Sequence, residues 1–278
     1  MTYVSVEQRR ARLSARHLLL PALRRAEPSE VADNLVALHS SDPVTVFLSL
    51  AARMSEPSVD AIEHALYTDR SLLRHHAMRR TLWVMTPETA ALAHASSTRK
   101  IAASERRTLV KRITESGAIE EPEHWLDDAM AQMVEAVGKA GRISTRALGE
   151  QLPELRLSLP YPGPQRSVVP IAAHTKIIQL AGFEGRVVRT RPAGSWVGSQ
   201  YLWAPAQDWY AAGLDRHATD EAAAALLEKW LRSFGPGTET DVVWWTGWTK
   251  TQVRRALAAI DAVPVSLHDD RHGWLAAD

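Results

Sequence analysis

With 278 residues, 45% of them hydrophobic, the chain is long enough to bury a substantial core, as two domains or as one set of repeated units. It has no cysteine, which excludes disulfides, thiolate metal sites and a cysteine nucleophile and agrees with a reducing compartment, the cytoplasm. Net charge is only +1, yet residues 1–112 carry 17 Lys and Arg against 11 Asp and Glu while residues 113–164 carry 4 against 9, so the first part suits a polyanion along one face.

The charged Met1–Arg16 and the short apolar run Leu18–Leu23 make neither a cleavable signal nor a membrane span. Val6–Leu23 reads as a helix, with Leu13, Leu20 and Leu23 inward and Arg9, Arg12 and Arg16 recurring on one face that suits phosphates. After Pro28, Ser29 caps a second helix to Leu38. The chain then turns at His39. Ser41 or Asp42 caps the next helix, Pro43–Met54, Pro43 suits its first position, and Val44, Phe47, Leu48 and Leu50 supply its apolar pattern. This corner gathers His39, Ser41 and Asp42, with Arg53 at the far end of the helix. Ser58 caps Val59–Tyr67. Two extended stretches, Leu72–Met78 and Thr81–Thr86, then flank a basic Arg79-Arg80 bend. Short helices followed by a hairpin are the order of a winged helix.

Pro87 opens a helix to about Ser97, and Arg99–Ile113 continues with Lys100, Arg107 and Lys111 on one side. The acidic, non-periodic Gly117–Pro122 predicts a domain boundary. Helix Glu123–Lys139 ends at Gly141, and Ser144 caps Thr145–Gln151. The proline-rich Leu159–Pro164 predicts a loop, and a helix Val168–Ala181 stops at Gly182. Arg186–Arg191, carrying Arg189 and Arg191, forms a hairpin with Ser195–Trp203. Thr219–Phe234 is a long helix stopped by Gly235-Pro236-Gly237; Glu239–Thr246 and Lys250–Ile260 follow, then a small hairpin of Val263–Leu267 with Gly273–Ala276. Trp244, Trp245 and Trp248 read as core. The order of elements thus recurs three times without a repeat in sequence. The expectation is a mainly α fold with small β-hairpin wings, three tandem winged-helix units over residues 1–115, 116–214 and 215–278, acting as a monomer. His75 and His76 point to opposite faces of a strand, and no cluster has metal-ligand spacing or a phosphate-cradling glycine loop, so neither metal nor cofactor is expected.

Four stretches resemble the winged-helix DNA glycosylases of the AlkZ and YcaQ type. They are Ala15-Arg16-His17-Leu18-Leu19; Leu38 to Pro43 followed by Leu48-Ser49-Leu50-Ala51-Ala52-Arg53; Met78-Arg79-Arg80-Thr81-Leu82 before Pro87-Glu88; and Phe234-Gly235-Pro236 followed by Asp241 and Trp245-Thr246-Gly247. They span nearly the whole chain in the family's order. The resemblance implies three winged helices around a DNA channel, double-stranded DNA as partner and removal of alkylated purines, including bulky natural-product adducts or crosslinks, in self-resistance or base excision repair. It puts the family's catalytic pair, Gln-hydrophobic-Gln or Gln-hydrophobic-Asp, at His39 and Ser41, and a family histidine at Trp83. The chain stops soon after its third hairpin where relatives usually continue, which is the pattern of a truncated or minimal member.

The residues fit that chemistry. An N7-alkylated purine is cationic and already a good leaving group, so the protein must stabilise an oxocarbenium-like centre and position a water. Neutral His39 accepts a proton from the water, Ser41 orients it, Asp42 adds negative charge near the sugar, and Trp83 assists. The duplex is expected on Arg9, Arg12, Arg53, Arg79, Arg80, Lys100, Arg107, Lys111, Arg189 and Arg191. The rival reading is a non-catalytic tandem winged-helix protein, a regulator or lesion-masking factor, that has lost the family pair; a protein–protein scaffold is a third.

Overall fold

In the computed structural model, which describes residues 1–268 and 271–277, a two-residue strand β1 (Thr2–Tyr3) precedes helix α1 (Val6–Arg16). Ser5 and Gln8 form a capping box there, each side chain accepting from the other's backbone N–H. The expected helix to Leu23 ends seven residues early. Leu18 turns left-handed at φ 57°, and Pro21 opens a separate 3-10 turn, because proline has no N–H to continue the ladder. Leu18 is therefore the buried leucine, while Leu20 is 46% exposed. Helix α2 (Pro28–Asn34) also stops short: Val36, at φ 66°, turns the chain into strand β2 (Leu38–His39).

Asp42 caps helix α3 (Pro43–Ala51), and Ser58 caps helix α4 (Val59–Tyr67). Strands β3 (Leu73–His76) and β4 (Leu82–Met85) follow around a 3-10 turn, Met78–Arg80, where the hairpin was expected. Together they make an antiparallel sheet in the order β2-β4-β3, with both His39 and His75 opposite Trp83. Thr86 caps helix α5 (Pro87–Ala93), which runs into a buried π-helical turn, His94–Thr98.

Contacts divide the chain into two compact units, residues 1–98 with 213–278, and residues 99–212, whereas the sequence predicts boundaries at 115/116 and 214/215. The continuous unit begins with helices α6 (Arg99–Ser116) and α7 (Pro122–Ala140), strand β5 (Ile143–Ser144) and helix α8 (Thr145–Gln151), capped by Ser144. The proline-rich stretch is not a loop. It is strand β6 (Ser158–Pro162), paired antiparallel with β7 (Val168–Ala172) so that Pro160 faces Pro170. A two-stranded ribbon tolerates this because each strand has a free edge for a residue without an N–H. Helix α9 consequently starts at Ala173 and runs to Phe183, rather than starting at Val168. Strands β8 (Val187–Pro192) and β9 (Tyr201–Pro205) complete a sheet of order β5-β9-β8. Leu126, Met130, Met133 and Val137 of α7 share this unit's core with Ile177 and Ile178 of α9 and Trp203 of β9.

The rest of the discontinuous unit comprises helices α10 (Thr219–Phe234), α11 (Glu239–Thr246) and α12 (Lys250–Ala259) and strands β10 (Val263–Ser266) and β11 (His272–Leu275). The sequence gives no signal for β1, which pairs in parallel with β10, Thr2 beside Val265. Helix α10 buries Leu226, Leu227, Trp230 and Leu231, and its Lys229 donates to both oxygens of Asp33 at the end of α2. Thr86 and Thr89 hydroxyls donate to the same carboxylate, which ties α2, α5 and α10 together. Gly237 lies against Trp230; a Cβ there would sit 2.4 Å from the indole, so only glycine fits. Among the described residues no helix is long and apolar enough to cross a membrane.

Candidate active site

The corner that carries His39 is built from a strand. Alternation along β2 leaves His39 exposed and sends Ser40 fully inside. There the Ser40 hydroxyl accepts from Nε of the buried Arg74 at 3.2 Å, and Arg74 Nη1 donates to the Tyr67 hydroxyl at 2.8 Å. The Ser40 N–H donates to the Leu82 carbonyl at 2.8 Å and extends the pairing with β4. A buried cation thus pins the residue between His39 and Ser41 from the opposite face of the sheet.

Asp42, not Ser41, caps α3. Its Oδ1 accepts from the Val44 N–H at 3.1 Å and its Oδ2 from the Thr45 hydroxyl at 3.4 Å. Ser41 turns instead toward the imidazole, its Oγ 3.4 Å from His39 Nε2. His39 stands edge-on to the Trp83 indole, ring centres 5.3 Å apart and planes at 90°. Partial burial, and then the positive charge of Arg79, hold the His39 pKa below the usual imidazole range. At neutral pH its ring is uncharged and one nitrogen accepts.

Trp83 is 3% exposed and donates its indole N–H to the Met78 carbonyl at 3.1 Å. Behind it Trp245 lies 5.5 Å away, and Phe234, stacked on Trp230, extends the aromatic wall. In the same cross-strand row the buried His75 places Nε2 3.3 Å from His94 Nδ1, and His94 Nε2 reaches Asp215 at 3.7 Å. Burial drives the His75 pKa well below its usual value.

Arg79 closes the other side. It and Arg80 take successive left-handed φ angles, 57° and 60°, each costing roughly 1–2 kcal/mol in a residue with a Cβ. The guanidinium carbon lies 5.5 Å from the Trp83 ring centre and 4.4 Å from that of Trp244. Consecutive positions on α11 point about 100° apart. Of the two α11 tryptophans Trp245 enters the core and Trp244 is 66% exposed, and Trp248, beyond the helix, is buried, which corrects the expectation that all three are core.

The structure therefore brings His39, Ser41, Asp42, Trp83 and Arg79 together. Other basic candidates have different surroundings. Arg9 pairs with Asp241 at 3.5 Å, and Arg12 is half-buried on the same helix. Arg53 donates to the His17 and Ser49 carbonyls, which makes it a brace between α1 and α3. Arg80, Lys100, Arg107 and Lys111 are exposed, Lys111 reaching Glu115 at 3.8 Å. In the second unit Arg189 and Arg191 are half-buried on β8; Arg189 lies 4.9 Å from the Trp203 ring centre and lines a cleft of about 320 Å³ with Ser144, Arg146, Ser199 and Gln200. Among the described residues no three His, Cys, Asp or Glu side chains are grouped to hold a metal ion.

A mainly helical chain with small sheets, bearing an exposed His-Ser pair beside an arginine turn, has the makings of a hydrolase that works on a polyanion. The model of the AlkZ-like DNA glycosylases matches residues 32–278, nearly the whole chain, and the protein belongs to that family. Among solved structures it is similar to Streptomyces sahachiroi DNA glycosylase AlkZ, with a TM-score of 0.70 at 18% identity over 100% of this chain and 71% of that one, a likeness of fold. No curated protein matches. Membership implies a DNA substrate and hydrolysis of an N-glycosidic bond.

Proposed function

We propose that the protein is a monofunctional glycosylase that releases N7-alkylated purines from double-stranded DNA, bulky adducts and crosslinks among them, with His39 as general base and Ser41 as its partner. The observation that carries this reading is the exposed His39–Ser41 pair, 3.4 Å apart, with the imidazole kept neutral beside Trp83 and Arg79. Water attacks C1′ of the deoxyribose and passes its proton to His39 Nε2. The C1′–N9 bond breaks, and its electron pair neutralises the cationic purine. Ser41 Oγ holds the water, and the exposed Asp42 carboxylate favours the oxocarbenium-like sugar. No enzyme nucleophile is needed, because the leaving base is already activated.

The three-stranded sheets β2-β4-β3, β5-β9-β8 and β1-β10-β11, each with its helices, support a reading as three tandem winged helices in a monomer. Arg79 and Arg80 in the first hairpin turn, Lys100, Arg107 and Lys111 on α6 and Arg189 and Arg191 on β8 are the cations assigned to the duplex; Arg12 adds to them, as do Arg9 and Arg53 while bracing the fold. The test is single-turnover excision from duplex containing N7-methylguanine, read as alkali-labile sites. Release by the parent and its loss in His39→Ala, with DNA affinity kept, is the expected result. A parent that binds the duplex but excises no N7-alkylpurine overturns the catalytic reading in favour of a lesion-masking DNA-binding protein.

A further inference from the structure

Trp244 presents a large indole to solvent one step from the candidate site. Its route to His39 runs through Arg79 and Trp83, with successive separations of 4.4, 5.5 and 5.3 Å. Arg79 covers one face of the ring; no aromatic ring among the described residues stacks on the other, and 66% of the residue is open. Arg79 Nε is buried with no hydrogen-bond partner, and no carboxylate among the described residues pairs with this guanidinium. Gly247, left-handed at φ 72°, ends α11 with its Cβ direction 3.6 Å from the Arg79 backbone, so the helix end and the hairpin turn hold each other in register. An unpaired guanidinium laid on one face of an exposed indole leaves the other π-face open, with a fixed positive charge behind the ring. That combination matches a nucleotide, whose base stacks and whose phosphate takes the charge. Bases within a duplex have both faces covered by neighbours; one that is unpaired does not.

We propose that Trp244 and Arg79 form a platform for an unpaired nucleotide, the base stacking on the open face of Trp244 and its phosphate meeting Arg79. The proposal rests on the reading that the protein binds duplex DNA, and it adds a site that recognises a disrupted base pair next to His39. The surface position of Trp244 makes its replacement compatible with folding, to be verified by an unchanged melting temperature.

Fluorescence anisotropy with labelled duplexes tests it, one intact and one carrying a single unpaired adenine, using the parent, Trp244→Ala, Trp244→Phe and Arg79→Gln. The parent is expected to prefer the bulged duplex. That preference should fall about fivefold or more in Trp244→Ala, the usual effect of removing a stacking ring, and survive largely in Trp244→Phe. In Arg79→Gln the log–log salt slope on the bulged duplex should flatten by about 0.9, the loss of one phosphate contact. If the parent binds both duplexes equally, or Trp244→Ala keeps the parent's preference, the platform is refuted while duplex binding stands. Failure of the parent to bind either DNA refutes both readings.

Discussion

Replacing Ser41 and Asp42 in turn shows which of the two adjacent residues stabilises α3, since both are given parts in the chemistry. Asp42 supplies the cap of α3 through one 3.1 Å bond to the Val44 N–H and a weaker 3.4 Å contact from Thr45. Asp42→Ala leaves that N–H to water and removes a negative charge from the helix N-terminus. The cap contributes about 1 kcal/mol; the charge, at an exposed site, adds roughly 0.3–1 kcal/mol. For a unit of this size each kcal/mol moves the melting temperature by roughly 2–4 °C, so Asp42→Ala should melt about 3–8 °C lower, and Asp42→Asn, which keeps a side-chain acceptor, should recover most of that. Ser41→Ala should stay within about 0.5 kcal/mol of the parent, because this hydroxyl caps nothing. Its effect should appear in single-turnover excision instead. Circular dichroism melts beside excision rates provide the measurement. A Ser41→Ala variant that melts as low as Asp42→Ala, or an Asp42→Ala variant as stable as the parent, would refute the assignment of the cap.

Four further outcomes follow from the same geometry. His39→Ala should slow single-turnover excision by roughly 10²-fold or more; since the base works only when neutral and its pKa lies below the usual imidazole range, the parent's rate should hold into mildly acidic solution and then fall. Arg79→Gln removes a charge that opposes protonation of His39, so that acid limb should move to higher pH, and an unmoved limb would contradict the electrostatic role given to Arg79. Duplex affinity should weaken with salt, with a log–log slope of about −4 to −5 if roughly five phosphates are neutralised; a slope near zero would point to a protein–protein scaffold. Burial keeps His75 neutral in the fold, whereas the unfolded chain protonates it near pH 6.5. The stability it protects is present above that pH and lost as pH falls below it, by up to about 1.4 kcal/mol per pH unit. Urea midpoints at pH 7.5 and 5.5 should show the loss, and His75→Gln should lessen it.

Elements with both a cap and a clean period were legible to the residue. Ser58 before α4 and Ser144 before α8 declare their helices, and α10 announces itself by its apolar spacing. Leu35–Leu38 misled because an apolar run of four serves a helix end and a buried strand equally well; only pairing with β4, more than forty residues on, decides it. The prolines of β6 were read as breakers, since nothing local reveals that Pro170 stands opposite Pro160. Near the site, the sequence already marked His39, Ser41 and the basic bend. The resemblance also sets Trp83 with the pair; the approach of Arg79 to them has no local signal, because it is made by strand register and the hairpin turn. Trp244 was missed although helical spacing held a signal: Val242, Trp245 and Thr246 are buried on α11, which leaves position 244 facing outward.

The interruption of the first unit by residues 99–212 has a consequence for the order in which this protein can be made. On a ribosome, α1 to α5 emerge early, but α10, against which α5 and the π-helical turn pack, is synthesised more than a hundred residues later. Strand β1 waits longer still, until Val265 of β10 is available to pair with Thr2. The inserted segment, residues 99–212, builds its core from its own continuous stretch and can form while residues 1–98 still await α10. Slowing translation between α9 and α10 should therefore lengthen the time for which the apolar faces of α5 and the π-helical turn stand open to chaperones, while leaving the inserted segment already closed.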